Sequence, residues 1–208
     1  MAQSTRQVQR TSSPGTGRRN RAAEVHEAAI RVFSAKGYST ASLQDIADEV
    51  GLLKGSLYHY IESKDAVLFE ILENSHKQAM EIMRQTDSLN LEPVERLRSY
   101  IQSLTSWYLD NRERASIYFT EWRYLTGDYR DTVQQQRREF LGYVRQILAE
   151  AQRRGLTRSD LNVNIASLFV LSAVNSVPLW YRTSGPIKSS EIANEVAELA
   201  VASVRASR

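Results

Sequence analysis

A short stretch after Gly51 carries the side chains with the clearest chemistry in this sequence. Leu53, Leu57 and Ile61 recur at four-residue steps, which predicts a helix over 53–60 with one apolar face. The other face is polar and consists of Lys54, Gly55, Ser56, Tyr58 and His59. Small residues let a backbone approach a phosphate, and hydroxyl, phenol and imidazole groups can hydrogen-bond base edges in a DNA major groove. We therefore expect a DNA-reading helix, with an ordinary solvated helix face as the alternative.

The sequence offers little for catalysis or metal binding. It contains no cysteine, which excludes thiol catalysis, zinc–thiolate sites and disulfides. Its three histidines, His26, His59 and His76, lie on different predicted helices without metal-ligand spacing, and we find no nucleophile motif or glycine-rich phosphate loop. We expect a protein that is not an enzyme and has no catalytic residues, cofactor or metal site.

Two predicted helices precede the DNA-reading helix and would hold it in place. The first covers 21–36 and stops at Gly37, and the second follows the N-cap Ser42 and stops at Gly51. Each has one apolar face, formed by Val25, Ala29, Val32 and Phe33 and then by Leu43, Ile46, Ala47 and Val50. Three helices of this size leave little room for a pocket, so the unit serves to present its third helix.

Longer helical patterns follow to the end of the chain. They cover about 63–86, 93–110, 114–125, 128–155, 163–181 and 189–206. The sequence thus predicts an all-α fold of about nine helices, with a three-helix helix-turn-helix head and a larger helical domain. We divide the chain into a basic arm (1–20), the head (21–66) and a domain for ligand binding and dimerisation (67–208).

Positive charge is concentrated at the N-terminus. Residues 1–21 contain five arginines and no acid, so the rest of the chain sums to −2 although the whole carries +3. Such an arm is too polar to fold alone, and we expect either a disordered tail or a segment that touches DNA. No stretch approaches 18 apolar residues and no signal-peptide pattern is present, so we expect a cytoplasmic protein without membrane contact.

The segment from Ser42 to Leu68, SLQDIADEVGLLKGSLYHYIESKDAVL, resembles the DNA-binding signature of TetR-family repressors. Matching positions are Ile46, Ala47, Gly51, Gly55, Leu57, Tyr58, Lys64 and Leu68. The resemblance implies phosphate contacts from Ser42, Lys54, Tyr58 and Lys64, and base-edge or close backbone contacts from Gly55, Ser56 and His59. One departure is Leu53, which stands where a capping Ser or Thr is usual, so the recognition helix is expected to lack its N-cap.

The same resemblance implies a homodimer on double-stranded operator DNA, held together by the last two helices. Two heads one turn of DNA apart can read both halves of a palindrome. The apolar residues available for this interface are Leu168, Leu171, Ala173, Leu179, Ile192, Val196, Leu199 and Val201. The alternative is that these residues form only the core of a monomer.

Aromatic residues in the larger domain predict a cavity for a small hydrophobic effector. The lining candidates are Trp107, Tyr118, Trp122, Tyr143 and Trp180. The run from Asn175 to Ala193, with W-Y-R-x-x-G-P from Trp180 to Pro186, also resembles a segment of repressors that respond to acyl-CoA thioesters, although helix 163–181 has no Lys or Arg for such an anionic group. A purely structural corner between the last two helices is the alternative for this motif. We expect a repressor released by an acyl-CoA or another lipid or aromatic effector. A transcriptional activator, a ligand-independent DNA-binding protein, and a head that contacts another protein remain alternatives.

Overall fold

The computed structural model describes residues 14–206, and over this range the chain forms nine α-helices and no β-sheet. The helices are α1 (Pro14–Lys36), α2 (Leu43–Glu49), α3 (Lys54–Leu57), α4 (Lys64–Ser88), α5 (Pro93–Asp110), α6 (Arg112–Thr120), α7 (Gly127–Arg153), α8 (Val163–Trp180) and α9 (Ser189–Val204). A 3₁₀ turn, Trp122–Tyr124, lies between α6 and α7. The predicted all-α fold with a small head and a larger helical domain is confirmed.

The first helix begins earlier than the sequence predicted. It starts at Pro14, so the prediction of a disordered arm is wrong for residues 14–20, while residues 1–13 lie outside the described residues. Proline suits a first helical turn because its missing N–H would have no partner there. Extending a helix costs less free energy than nucleating one, so the amphipathic helix that follows can be extended by preceding residues of low hydrophobicity.

Helices α1–α3 form the head of the molecule around the buried side chains of Phe33, Ile46 and Leu57. Gly37 and Gly51 end α1 and α2 in the left-handed region, with φ of +76° and +66°, a conformation that costs glycine nothing. α3 is shorter than predicted, because after Leu57 the chain continues to Tyr60 as a tighter turn with hydrogen bonds to the third residue back.

Helices α4–α9 form the body. α5 packs along α9, α7 packs against α5 and α8, and α4 runs from the head into this bundle. The apolar core is continuous from Val25 in the head to Val204 at the end of α9. The predicted helix 114–125 is interrupted after Thr120, whose hydroxyl donates to the Ser116 carbonyl oxygen at 2.9 Å, a bond that bends helices.

Candidate DNA-binding surface, effector cavity and dimer face

The recognition helix α3 and its following turn present polar groups outward. Leu57 and Ile61 are buried and anchor this segment on α1 and α2. Lys54, Gly55, Tyr58 and His59 are exposed, and Ser56 is half-buried. This arrangement leaves the predicted DNA-reading side chains free to meet a groove. Leu53, at the N-cap position, is 81% exposed and makes no capping hydrogen bond, as its side-chain type led us to expect.

Ser42 is committed to local structure. Its Oγ accepts from the Asp45 backbone N–H at 3.2 Å and its own backbone N–H donates to Asp45 Oδ2 at 2.8 Å, which forms a capping box at the start of α2. The Ser42 hydroxyl also donates to Asp45 Oδ2, at 2.7 Å. Hydrogen bonds from Lys36 and then from Ser42 lower the pKa of Asp45. Because its single hydroxyl proton is used on a carboxylate, Ser42 has no proton left to donate to a phosphate in this state.

Lys64, at the start of α4, meets the head through Tyr38. Its Nζ lies 4.3 Å from the centre of the Tyr38 ring. The Tyr38 hydroxyl donates to Asp65, and burial is the main cause that raises the Tyr38 pKa, so the phenol stays protonated. Lys64 is therefore held at the start of α4 by a cation–π contact, and it forms no ion pair with any described residue.

Tyr38 also connects the head to the body, a role that the sequence did not reveal. Its backbone N–H donates to Glu121 Oε2 at 3.3 Å, and its ring lies 5.6 Å from that of Tyr124. We call Tyr38, Glu121 and Tyr124 the junction. An ion pair between Arg114 and Glu27 joins α6 to α1 beside it. The end of α6 and the 3₁₀ turn are thus in direct contact with the head.

A small cavity lies within the body among α5, α6, α7 and α8. Its volume is about 50 Å³, and its lining residues are Tyr108, Tyr118, Phe119, Arg137, Phe140, Leu171 and Asn175. The Arg137 guanidinium lies 4.8 Å from the Trp122 ring and 5.8 Å from the Tyr118 ring. Burial raises the pKa of Tyr108 and of Tyr118, so both phenols keep their protons and can donate hydrogen bonds.

The five aromatic residues predicted to line one cavity are not brought together. Tyr118 lines it, and Trp122 lies across Arg137 on the 3₁₀ turn. Trp107 packs edge-on against Tyr108 at 5.8 Å without joining the lining. Tyr143 faces a separate groove between α4 and α7 and donates to Asp87 at 2.7 Å.

Trp180, the fifth of these residues, lies on the outer surface of α8, where it is 53% exposed. The prediction of one cavity lined by all five is therefore wrong, because helical spacing does not say which neighbour a ring will face. The prediction also missed Arg137 and Asn175. Asn175 was detectable as a polar residue in the otherwise apolar α8.

The outer faces of α8 and α9 form an apolar surface, which we call the dimer face. Its most exposed large side chains are Ile165, Leu168, Phe169, Leu179, Trp180 and Leu199. A groove of about 640 Å³ lies along it, and none of the described residues that line this groove is charged. Of the predicted interface residues, Leu171, Ile192 and Val201 are instead buried within the chain, because α8 packs on α7 and α9 packs on α5.

Within the described residues, α8 is the single helix whose length and composition would allow it to cross a membrane. Only 39% of it is buried inside the chain. A core helix of a soluble protein passes the same test, so this is weak grounds for a membrane span. After α8 the run from Trp180 to Pro186 forms a turn, closed by the Gly185 N–H on the Arg182 carbonyl oxygen at 2.9 Å. This turn is consistent with a structural role for that run.

Comparison with family models identifies both parts of the chain. Residues 26–71 match the model described as bacterial regulatory proteins, tetR family. Residues 90–204, more than half of the chain, match the tetracyclin repressor-like C-terminal domain.

Individual relatives agree with these models. The HTH-type transcriptional repressor KstR2 of Mycobacterium tuberculosis is 26% identical over 181 residues, which are 85% of this chain and 88% of that protein. The solved structure of ketosteroid transcriptional regulator KstR2 from the same organism superposes with a TM-score of 0.85 at 22% identity, covering 90% of this chain and 96% of that one. AibR in complex with isovaleryl coenzyme A and operator DNA superposes with a TM-score of 0.78 at 24% identity, covering 86% and 97% of the two chains. At these identities the two structures establish a common fold.

Proposed function

Because the chain belongs to the TetR family of bacterial regulatory proteins, we propose that it is a transcriptional repressor whose dimer leaves operator DNA when a small hydrophobic effector binds. Members of this family bind DNA as dimers and respond to small-molecule effectors. The observation that carries the proposal is the junction. The junction joins the 3₁₀ turn, which bears Trp122 next to the cavity, to the loop of the head that carries Tyr38. The Tyr38 ring in turn contacts Lys64.

On DNA, α3 would enter the major groove and the flanking cations would hold the phosphates. We assign phosphate contacts to Lys54, Tyr58 and Lys64, and base-edge or close backbone contacts to Gly55, Ser56 and His59. Phosphate contacts set position and salt dependence, while base contacts select sequence. Ser42 can join the phosphate contacts through its hydroxyl only if Asp45 releases it, so we assign it to capping α2.

The dimer forms through the dimer face. Six large apolar side chains there are more than half exposed in the single chain, a patch that soluble monomers rarely leave in contact with water. An isologous pairing of α8 and α9 with their copies would cover it and hold two heads at a fixed separation. We keep the proposed division into a head over 21–66 and a ligand-binding and dimerisation domain over 67–208.

The effector would act by moving α6 and the 3₁₀ turn. A cavity of about 50 Å³ is too small for a lipid-sized molecule, so binding must displace its walls. A ligand releases DNA only if it binds the DNA-incompetent state more tightly, by roughly 2–3 kcal/mol for a hundredfold effect. The AibR structure contains isovaleryl coenzyme A, which favours an acyl-CoA or a related lipid as the effector here.

The proposed function is regulatory and cytoplasmic, because the matched relatives are transcriptional regulators. A transcriptional activator is the second candidate function, since the same contacts would activate transcription from a differently placed operator.

The test is selection of bound fragments from random and native genomic DNA by the purified full-length protein. A palindrome should be enriched, and gel shifts on it should weaken when acyl-CoA or lipid candidates are added. Failure to enrich any sequence at low salt would overturn the repressor function. Enrichment upstream of genes whose expression falls on deletion of the regulator would favour the activator.

A further inference from the structure

The effector cavity is lined by hydrogen-bond donors that lack acceptors. The Tyr118 hydroxyl is buried, has no partner among the described residues, and belongs to a side chain that is 5% exposed. The Tyr108 hydroxyl donates to Asn175 Oδ1 at 3.3 Å, which uses one of the two lone pairs of that amide oxygen and leaves its NH₂ group as a donor. A buried donor without an acceptor is unfavourable, so the cavity is incomplete as it stands.

The charge in the cavity also indicates that an acceptor is missing. Arg137 is half-buried, and none of the other lining residues is acidic. Two other half-buried arginines of the body pair with carboxylates, Arg96 with Glu150 and Arg114 with Glu27, whereas Arg112 lies over the Tyr181 ring. Arg137 forms no ion pair within the described part of the chain and lies over the rings of Trp122 and Tyr118. A guanidinium in that position still has N–H groups free to bind an oxygen.

We infer that this cavity holds the oxygen-bearing end of an otherwise apolar ligand, with a carbonyl or carboxylate oxygen bound by the Tyr118 hydroxyl and the Arg137 guanidinium. The inference rests on the proposed function, because it treats the cavity as the effector site. It adds the chemistry that the effector must carry: an acyl oxygen, and no cation, at its buried end.

The rest of the ligand lies beyond Phe140. The Phe140 ring stands 6.3 Å from the Tyr118 ring on the cavity side and 5.2 Å from the His76 ring on the other. His76 lines the groove between α4 and α7, which has a volume of about 960 Å³ and is lined by Met80 and Met83 together with charged residues such as Glu73 and Arg84. Rotation of the Phe140 side chain would thus join the small cavity to this groove, where the two methionines could contact an apolar chain.

Four ten- or eleven-carbon probes test this inference through quenching of tryptophan fluorescence, a readout independent of DNA. They are decanoate, 2-undecanone, decanoyl-CoA and, as a cation of matched length, decyltrimethylammonium, all below their micellar concentrations. We expect at least one oxygen-bearing probe to bind and the cation to bind at least about tenfold more weakly. Arg137→Gln should weaken binding of the oxygen-bearing probes about tenfold, and Tyr118→Phe by several-fold.

Arg138→Gln and Tyr129→Phe are the matched controls, since Arg138 is exposed and Tyr129 stacks on Phe69 away from the cavity. If Arg137→Gln weakens decanoate more than 2-undecanone, the natural oxygen is a carboxylate; equal losses indicate a neutral carbonyl or thioester. Equal binding of the cation, unchanged binding in both cavity variants, or no binding of any oxygen-bearing probe would overturn the inference. Operator binding by the same protein separates these outcomes from failure of the proposed function, which would abolish DNA binding as well.

Discussion

The head and the body of this regulator present opposite surfaces to their partners. The head ends α1 and α2 with glycines, begins α2 with a capping box, and exposes lysine, phenol and imidazole groups on α3 and the turn after it. The body has helices of up to 27 residues and exposes aliphatic and aromatic side chains on α8 and α9. A polar surface can bind a charged, hydrated polymer such as DNA, whereas an apolar surface is stabilised by a partner that removes water from it. The two regions therefore need different partners at the same time, and the dimer supplies one of them.

The largest expected effect comes from placing a charge on the dimer face. Phe169 is 61% exposed in the single chain and lines the groove of that face. Phe169→Glu should leave the fold intact, since the side chain is outside the core, but bury a carboxylate in the dimer. We expect a monomer by analytical ultracentrifugation and operator affinity lower by about a hundredfold or more, because two linked heads bind far more tightly than one.

Leu89→Glu is the control for that change, because Leu89 is 57% exposed at the end of α4, away from the dimer face. It should remain dimeric. A dimeric Phe169→Glu protein would show that the apolar surface of the body has another partner.

A smaller effect should follow from removing one cation of the head. Lys54→Ala deletes an exposed charge at the start of α3. If Lys54 contacts a phosphate, the slope of log K against log salt should fall by about one per subunit, with little change in sequence preference. Titrations over a range of salt concentrations on operator and on unrelated DNA measure both quantities. An unchanged slope would place Lys54 away from the phosphates, and Lys77→Ala, in the body, provides the comparison.

The junction should determine how well the two regions communicate. Glu121→Ala removes the acceptor of the Tyr38 N–H, while Glu121→Gln keeps an amide oxygen there. We expect the alanine variant to bind operator nearly as well as the parent but to lose about fivefold of the weakening caused by effector. The glutamine variant should retain most of it. Equal responses in all three proteins, measured by gel shift with and without effector, would show that the coupling takes another route.

The sequence predicted more of the head than of the body, because the arrangement of the head depends on local spacing and that of the body on contacts between distant helices. Which head residues are buried and which are exposed was predicted correctly, because this follows from local spacing: Leu57 inside, Tyr58 and His59 outside. The cavity was predicted only as a class of site, because which side chains meet there depends on four helices that are distant in sequence. Trp180 was predicted to line the cavity and faces outward, whereas Arg137 lines the cavity and was not predicted to do so.

The predicted ends of helices were wrong where the local sequence has only a weak preference for helix. Residues 14–20 read as a polar arm yet extend α1, and α3 ends at Leu57 although the apolar period continues to Ile61. A pattern of apolar residues fixes which face is buried, but a helix and a tight turn can bury the same side chain. Such choices are made by the packing of the surrounding elements rather than by the local sequence.

Acid should weaken the body through His76. The ring is buried, its Nε2 lies 3.4 Å from Glu139, and its Nδ1 has no partner in the described part of the chain. Burial lowers the His76 pKa below its ordinary value of 6.5, against the opposing effect of Glu139 and Glu73 and with a further lowering by Lys77. Protonation therefore favours the unfolded chain, and the free energy of unfolding should fall as the pH drops below about 6.5.

Urea unfolding at pH 7.5 and at pH 5.5 measures this effect. His76→Gln should reduce the difference between the two conditions, while His59→Gln, which changes an exposed ring of the head, should not. The same pH difference in both variants would assign the acid sensitivity to other groups.

The smallest expected effect concerns the start of the recognition helix. Leu53 occupies the N-cap of α3 without a capping bond, and Leu53→Thr would supply a hydroxyl to the free N–H groups of the first turn. An added N-cap stabilises a helix by about 1 kcal/mol, and loss of an 81% exposed leucine removes little packing. We expect a small rise in stability, measured by urea unfolding, and operator binding that is equal or several-fold tighter, because a threonine hydroxyl can also donate to a phosphate. If binding instead weakens on the selected operator while stability rises, the leucine itself contacts DNA. The absence of a cap would then serve the reading of sequence at a small cost in helix stability.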